Sequence, residues 1–406
     1  MRLPRTAMPA PSLFSSIPAA SASSYRRLSA WYFFYFAFVG AFTPYFTLYL
    51  QSLGHAAPAI GALMSLMVAM RLLAPYLWGW LADRVGRKAV IVRVATVFSA
   101  LSFALFFFVQ DFWPLFVVMA LTSFFWSASL PLVEALTLGH LAVPGDYGRI
   151  RLWGSVGFIV AVLGTGACLD RAPLDSLLVI SLGLLVGIVL CAWSLVDVPS
   201  AGEHSGKHSL RSGLMRPEVV SLLAACFFMS AAHSPFYLFY SIHLVDHGYG
   251  KTAVGMLWSL GVVCEIVVFL VMPVLVRTWS LAAMLVACFA LAVVRFLLIG
   301  WGADSVALLL LAQVMHGATF GAYHAAAIAT LNRWFPAPQQ GRVQALYGSV
   351  SYGAGGMAGN VASGSVWEWA GAGATFTLGS AFALIGLLFM WRGWRLQAAT
   401  DARPVQ

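Results

Sequence analysis

Charged and imidazole side chains inside long apolar stretches are the residues of this sequence whose chemistry stands out. An ionisable group costs several kcal/mol in hydrocarbon, so it faces a protein interior or a water-filled path. A desolvated carboxylate and a histidine can each carry a proton, whereas an arginine can bind a carboxylate. The residues that we take as candidates are Glu134, Arg151, Glu265, Arg295, His316 and His324. Arg71, Arg149 and His233 also lie in apolar stretches.

The first two of these residues lie on either side of one short loop. Glu134 follows Pro131 in the stretch SASLPLVEALTLGH, and Arg151 opens the next apolar stretch. Helices joined by a short loop are antiparallel neighbours, so we expect Glu134 and Arg151 to pair. The pair has two interpretations, a structural ion pair or a substrate-binding pair that separates when substrate arrives.

Glu265 is the carboxylate of the second half, in the stretch LWSLGVVCEIVVF. Trp258 precedes it by seven residues and therefore shares its helical face. Burial should raise the affinity of Glu265 for a proton, which makes it a candidate proton carrier. Arg295 lies in the middle of its own apolar stretch, and we expect it to compensate the charge of Glu265.

Two histidines fall within one apolar stretch, QVMHGATFGAYHAAAIATL. His316 and Tyr323 are seven residues apart and share a face, while His324 lies about 80° around the helix from His316. Histidine titrates near neutral pH, which suits proton coupling. The alternative is that each histidine is only a hydrogen-bonded packing residue.

The composition indicates an integral membrane protein. Of 406 residues, 61% are hydrophobic and 9% are charged, whereas soluble domains carry roughly 25% charged residues. Continuous runs such as LLVISLGLLVGIVLCAWSLV are twice the length of a barrel strand and favour helices. We expect no catalytic residues, metal or cofactor, because no P-loop, dinucleotide fingerprint, HExxH or cysteine cluster is present.

Twelve transmembrane helices are predicted, in two halves of six. A polar segment at 198–216 separates an N-terminal bundle at 28–197 from a C-terminal bundle at 217–394, a layout typical of duplicated transporters. We expect cytoplasmic tails at 1–27, which we interpret as disordered, and at 395–406. The predicted spans are 28–50, 58–80, 88–109, 112–137, 150–170, 175–197, 217–245, 253–274, 279–300, 304–332, 342–367 and 372–394.

The distribution of the 23 Lys and Arg residues predicts the orientation. Most of them fall in the even-numbered loops and the two tails, while the odd-numbered loops hold only Arg171 and Lys251. Because positive charge stays on the cytoplasmic side, both termini are predicted to be cytoplasmic. The net charge of +9 therefore reflects topology, and we expect no nucleic-acid partner.

The loop after the second span, GWLADRVGRKAV, resembles the loop signature of the major facilitator superfamily. The resemblance implies that fold, and it implies that the aspartate and arginines latch the cytoplasmic side in one alternating-access state. The glycines permit the tight turn that the loop needs. The residues that match are Gly79, Asp83, Arg84, Gly86 and Arg87, with Leu81 and Lys88.

Longer stretches resemble lactose permease and its relatives, and more closely the 3-phenylpropionate permease group. They are YGRIRLWGSVGF, GMLWSLGVVCEIVVF, VVRFLLIG and HGATFGAYHAAA. The resemblance implies substrate contacts at Glu134 and Arg151, and proton coupling or substrate binding at Arg295 and His316. Lactose permease carries its coupled proton on a carboxylate one turn after the histidine, where this chain has Thr319, so Glu265 or the histidines would have to take that role.

The function that these observations predict is proton-coupled symport of a small organic solute across the inner membrane, by a chain expected to be monomeric. The first choice of solute is an aromatic carboxylate such as 3-phenylpropionate, with Glu134, Arg151, Trp258 and Tyr323 binding it. Glu265, Arg295, His316 and His324 would couple protons. The alternatives are a sugar or nucleoside symporter, a drug exporter, and a membrane-embedded ligand sensor that does not transport.

Overall fold

The N-terminal half consists of six long helices. The protein is described here from a computed structural model, which covers residues 19–141, 146–197 and 211–401. The helices are α1 (Ala19–Ser52), α2 (Ala57–Val85), α3 (Lys88–Ala104, extended by a 3₁₀ turn at Leu105–Phe108), α4 (Phe112–His140), α5 (Asp146–Leu169) and α6 (Ser176–Trp193).

The C-terminal half repeats this arrangement after a short helix at Arg211–Leu214. Its first four long helices are α7 (Pro217–Asp246), α8 (Lys251–Thr278), α9 (Leu281–Trp301) and α10 (Val306–Trp334). A π-helical turn at Gly317–Ala322 interrupts α10 directly after His316. Such turns are rare and occur frequently at functional sites.

The last apolar run, Ala337–Leu396, contains two helices. Its 60 residues would extend about 90 Å as one helix, far more than the ~30 Å hydrocarbon core. Gly371 breaks the run with φ 76° and ψ −172°, a conformation that favours glycine. We label the two arms α11 (337–370) and α12 (372–401), so the eleven apolar runs of the described chain contain the twelve predicted helices.

Two boundaries differ from the sequence prediction. Helix α1 begins at Ala19, within the segment expected to be a disordered tail at 1–27, and residues 1–18 lie outside the described residues. Helix α12 continues to Asp401, past the predicted end at 394. Most of the predicted linker, 198–210, also lies outside the described residues.

Glycines bring the two halves together along α2–α11 and α5–α8. A Cβ atom added to Gly166 of α5 would lie 2.5 Å from the Lys251 carbonyl oxygen, and one on Gly255 of α8 would lie 2.8 Å from the Val162 carbonyl oxygen. On the other side of the seam, a Cβ on Gly61 would lie 2.8 Å from the carbonyl oxygen of Asn360. Small residues therefore permit backbone contact between the halves.

Polar contacts reinforce this seam at one end of the bundle, which we call the Asp170 end. The Asp170 carboxylate accepts hydrogen bonds from the backbone N–H groups of Lys251 (2.7 Å) and Thr252 (2.9 Å), and one from the Thr252 hydroxyl. Tyr45 donates to the Lys251 carbonyl oxygen at 3.0 Å. A carboxylate from the first half thus caps the N-terminus of α8 in the second half, where the helix dipole favours negative charge.

The opposite end of the bundle, which we call the Asp83 end, carries the predicted latch loop. Gly86 ends α2 in the left-handed conformation (φ 68°), as the tight turn requires. Asp83 is exposed and contacts no partner among the described residues, while the Arg84 guanidinium lies over the Trp80 ring. The structure therefore places the latch residues on the surface, and the cross-seam hydrogen bonds that it shows lie at the Asp170 end.

Candidate functional site

The side chains of Glu265 and His316 form a close polar pair between α8 and α10. The Glu265 Oε1 and His316 Nε2 atoms are 2.7 Å apart, and both side chains are largely buried. Glycines allow these helices to approach, because a Cβ on Gly317 would lie 2.8 Å from the Cys264 carbonyl oxygen. The structure thus joins two of the four residues predicted to couple protons.

Arg295 does not pair with Glu265, which differs from the prediction. Its Nε donates to the Ala312 carbonyl oxygen at 2.9 Å, and its Nη1 donates to the Thr319 hydroxyl at 3.4 Å. The side chain is fully buried, and its guanidinium lies 4.6 Å from the centre of the Phe236 ring. Arg295 therefore ties α9 to α10 beside the pair, in part through Thr319.

His324 contacts tyrosines of α11 rather than His316. Its Nδ1 lies 3.1 Å from the Tyr347 hydroxyl and 3.0 Å from the Tyr352 hydroxyl. Tyr323, a predicted substrate residue, is buried against Phe289 with ring centres 5.7 Å apart. The structure consequently separates the two histidines and places Tyr323 inside the second half.

Trp258 and Phe236 form an aromatic wall beside the Glu265–His316 pair. Trp258 packs on Phe236, with ring centres 4.5 Å apart, and Phe236 in turn lies 5.4 Å from the His316 ring. The indole N–H donates to the Ser241 hydroxyl at 3.2 Å. Trp258 therefore keeps its predicted place on the face of α8 that carries Glu265, although it is itself buried.

Glu134 and Arg151 approach one another without a direct ion pair among the described residues. Glu134 Oε1 accepts a hydrogen bond from the Tyr147 hydroxyl at 3.4 Å, while the Arg151 guanidinium lies 3.7 Å from the centre of the Phe36 ring. The charge of Arg151 acts on Glu134 in its own half and on Glu265 in the other. Arg151 therefore lies within electrostatic range of a carboxylate in each half.

Further polar atoms are buried in the second half. Both amide atoms of Gln313, Nη2 of Arg295 and Nε2 of His233 are buried with no hydrogen-bond partner among the described residues. Buried polar groups of this kind normally bind ordered water. For Gln313, the only signal in the sequence was a polar residue within an apolar run, and that signal did not distinguish it from a packing residue.

Arg71 of α2 is another charged residue within an apolar helix, and the sequence indicated its position without a role. It is the middle residue of a 29-residue helix, it is exposed, and it makes no hydrogen bond or ion pair within the described chain. It lies in the first half, as do Glu134 and Arg151, whereas the carboxylate–imidazole pair lies in the second.

Comparisons with known proteins match most of the chain. Residues 25–378 match the family described as MFS_1 like. The chain is 30% identical over 382 residues to the "Probable 3-phenylpropionic acid transporter" of Escherichia coli (strain K12), which covers 91% of this chain and 97% of that protein. It is 28% identical over 373 residues to the maltose permease of Geobacillus stearothermophilus, covering 88% and 92%.

Solved structures share the fold. The crystal structure of the nucleoside transporter NupG superimposes with a TM-score of 0.79 at 17% sequence identity, covering 91% of this chain and 99% of that chain. At this identity the similarity concerns the fold alone.

Proposed function

The chain belongs to the MFS_1-like family and is a secondary transporter of the major facilitator type, a premise from which we propose that it moves a small aromatic carboxylate together with protons. The first choice of solute is 3-phenylpropionate. The observation that supports the proposal most is the Glu265–His316 pair, held at 2.7 Å within the apolar region and subject to the charge of Arg151 from the other half.

The proposed coupling is electrostatic. An ionised Glu265 repels an anionic solute and competes with it for Arg151, so protonation of Glu265 removes both effects. At a separation of ~10 Å and an effective dielectric constant of ~20, one such charge–charge interaction is worth roughly 1–2 kcal/mol, or about tenfold in affinity. Proton and anion therefore bind cooperatively, and together they carry no net charge through the bundle.

The other predicted residues have positioning roles in this proposal. Glu134 holds Arg151 near the seam, Trp258 gives aromatic surface beside the pair, and Arg295 fixes α10 behind His316. The separate positions of His324 and Tyr323 favour roles in aligning α10 over direct contact with the solute. His324 contacts α11 through Tyr347, and Tyr323 contacts α9 through Phe289. We also propose that the Asp83 loop latches the cytoplasmic side, with both termini on that side of the inner membrane.

Entrance counterflow in proteoliposomes tests the substrate. Vesicles preloaded with unlabelled 3-phenylpropionate should take up external radiolabelled 3-phenylpropionate faster than empty vesicles do. Protein-free vesicles are the essential control, because the undissociated acid crosses lipid unaided. Counterflow no faster than in protein-free vesicles, from folded protein, would contradict the substrate assignment.

A competition panel separates the alternatives. A maltose permease and a nucleoside transporter resemble this chain, so unlabelled maltose and uridine are the appropriate neutral competitors. We expect aromatic carboxylates to inhibit uptake and these neutral solutes to leave it unchanged. A drug exporter would instead accumulate hydrophobic cations against the gradient, and a sensor would bind a ligand with no flux.

A further inference from the structure

The face of α2 that points toward lipid is marked by large exposed apolar side chains. Leu73, Leu77 and Trp80 are 67%, 51% and 55% exposed. Arg71 precedes Leu73 by two residues, and each residue turns the helix by about 100°, so Arg71 points about 160° away from Leu73. Arg71 is nevertheless exposed, so it faces an open space on the side of α2 opposite the lipid.

The neighbours of Arg71 on α2 locate that space between the halves. On one side, Leu72 packs on Gly353 and Val68 lies 3.5 Å from the Cβ position of Gly356, both in the second half. On the other side, the indole N–H of Trp78 donates to the Phe124 carbonyl oxygen of α4 at 3.0 Å. Arg71 therefore projects between the α11 contact and the α4 contact, toward the seam.

The depth of Arg71 requires a polar surrounding. As the central residue of α2 it lies about 20 Å along the helix from either end, near the middle of the bilayer. A charge at that depth in lipid is costly, and a side chain so far from both surfaces cannot reach a headgroup. The charge of Arg71 acts on Tyr35 of α1 and on Tyr237 of α7, which belong to different halves.

The other two central arginines have partners and Arg71 has none among the described residues. Arg295 donates hydrogen bonds from two of its nitrogens, to Ala312 and to Thr319, and the Arg151 guanidinium lies over the Phe36 ring. A free guanidinium presents five donors in a planar fork that matches a carboxylate. An unpaired cation facing the path of the solute is a binding site for an anion.

We propose that Arg71 binds the carboxylate group of the transported solute directly, while Arg151 attracts it from a longer distance. This inference rests on the proposed function and assigns the residue that contacts the anion within it. The guanidinium makes a charge-assisted contact with the carboxylate while the solute lies in the seam between α2, α7 and α11. The aromatic part of the solute then extends toward the wall formed by Trp258 and Phe236. Neutral solutes of the same shape lose this contact.

The test compares three acids with their amides. Benzoate, phenylacetate and 3-phenylpropionate, and the corresponding amides, are titrated into the purified full-length protein in nanodiscs by calorimetry. We expect Arg71→Gln to weaken binding of the acid that the unchanged protein binds by ten- to a hundredfold. The affinity of Arg71→Gln for the amides should stay within about twofold of that of the unchanged protein. The affinity of Arg71→Lys for the acid should fall between those of the unchanged protein and Arg71→Gln.

Controls separate a binding defect from a folding defect. Arg277→Gln removes an exposed arginine in the last turn of α8 and should bind as the unchanged protein does. Because Arg71 makes no structural hydrogen bond, Arg71→Gln should keep the same elution profile and melting temperature.

Three outcomes decide the proposal. A selective loss of acid binding in Arg71→Gln supports it, and it does so even if the acid is benzoate or phenylacetate, in which case only the 3-phenylpropionate assignment falls. Unchanged acid affinity in Arg71→Gln overturns it. A protein that binds none of the three acids, yet binds maltose or uridine, overturns both this inference and the proposed function.

Discussion

At the scale of single residues, the carboxylate of Glu265 and the imidazole of His316 can share a proton without any change in helix packing. The Glu265 Oε1 and His316 Nε2 atoms are 2.7 Å apart, and both side chains are largely buried. Neighbouring charges belong to Arg151 from the first half and Arg295 from the second. Under the proposed function, a proton added here would change the field that an anionic solute meets in the seam.

The substitution Glu265→Gln isolates this proton. The amide keeps the shape and the contact with His316 but cannot ionise. We expect counterflow of radiolabelled 3-phenylpropionate to persist while accumulation driven by a proton gradient is lost. Substrate affinity should also cease to increase as the pH falls. Unchanged uphill transport in Glu265→Gln would remove Glu265 from the coupling role.

At the scale of helices, the crossing of α5 and α8 depends on the absence of a single methyl group. A Cβ at Gly166 would lie 2.5 Å from both the Lys251 carbonyl oxygen and the Tyr45 hydroxyl oxygen, whereas a Cβ at Gly164 would meet nothing within 4 Å. Backbone cannot yield as a flexible side chain does, so the helices would have to separate.

The matched pair Gly166→Ala and Gly164→Ala tests this crossing. Spin labels at Asp175 and His247, in a background without the five native cysteines, report the distance across the Asp170 end. We expect Gly166→Ala to lengthen or broaden that distance and Gly164→Ala to leave it unchanged. Identical distance distributions in the two variants would show that close packing at Gly166 does not keep α5 and α8 together at the Asp170 end.

Asp170 adds an electrostatic contribution at the same end. Burial acts to raise the pKa of Asp170, but hydrogen bonds from Thr252 and Lys251 outweigh it and hold that pKa below its ordinary value. A lowered pKa means that the contact is complete above the ordinary aspartate pKa, about 3.9, and is lost as the pH falls through the lower, folded-state value. The contact at the Asp170 end should therefore be insensitive to pH between about 5 and 8.

The variant Asp170→Asn tests that contribution with the same labels. Loss of the charge at the N-terminus of α8 should shift the population toward a more open Asp170 end at neutral pH. The effect should be a few-fold at most, since the contact is exposed and is screened by solvent. A distance distribution identical to that of the unchanged protein at pH 7 would contradict a stabilising role of the Asp170 contact.

At the scale of the whole molecule, the twelve-helix prediction was confirmed because lipid leaves the backbone few alternatives. Apolar runs long enough to cross the bilayer must be helical, so hydropathy and length determined nearly every span. The start of α1 at Ala19 escaped prediction, since AASASSYRR is not apolar and no hydropathy rule marks a helix that extends past the membrane. The apolar run at Ala337–Leu396 is long enough for two spans, and a single glycine, Gly371, divides it into two helices.

The candidate site was predictable in its residue types and only partly in its pairs. Charges within apolar runs identified Glu265, Arg295 and His316, but the sequence does not specify how each helix is rotated against its neighbours. Arg295 therefore contacts Ala312 and Thr319, and Glu265 contacts His316 instead. The same lack of rotational information left Arg71 without a role.

The most direct test of proton-coupled transport is gradient-driven accumulation of radiolabelled 3-phenylpropionate in proteoliposomes, corrected for uptake by protein-free vesicles under the same gradient. Proton coupling predicts corrected accumulation above the external concentration when an inward proton gradient is imposed, and equilibration only when the gradient is absent. Corrected uptake that is the same with and without the gradient would contradict proton coupling, and no corrected uptake in either condition would contradict the assignment of this solute.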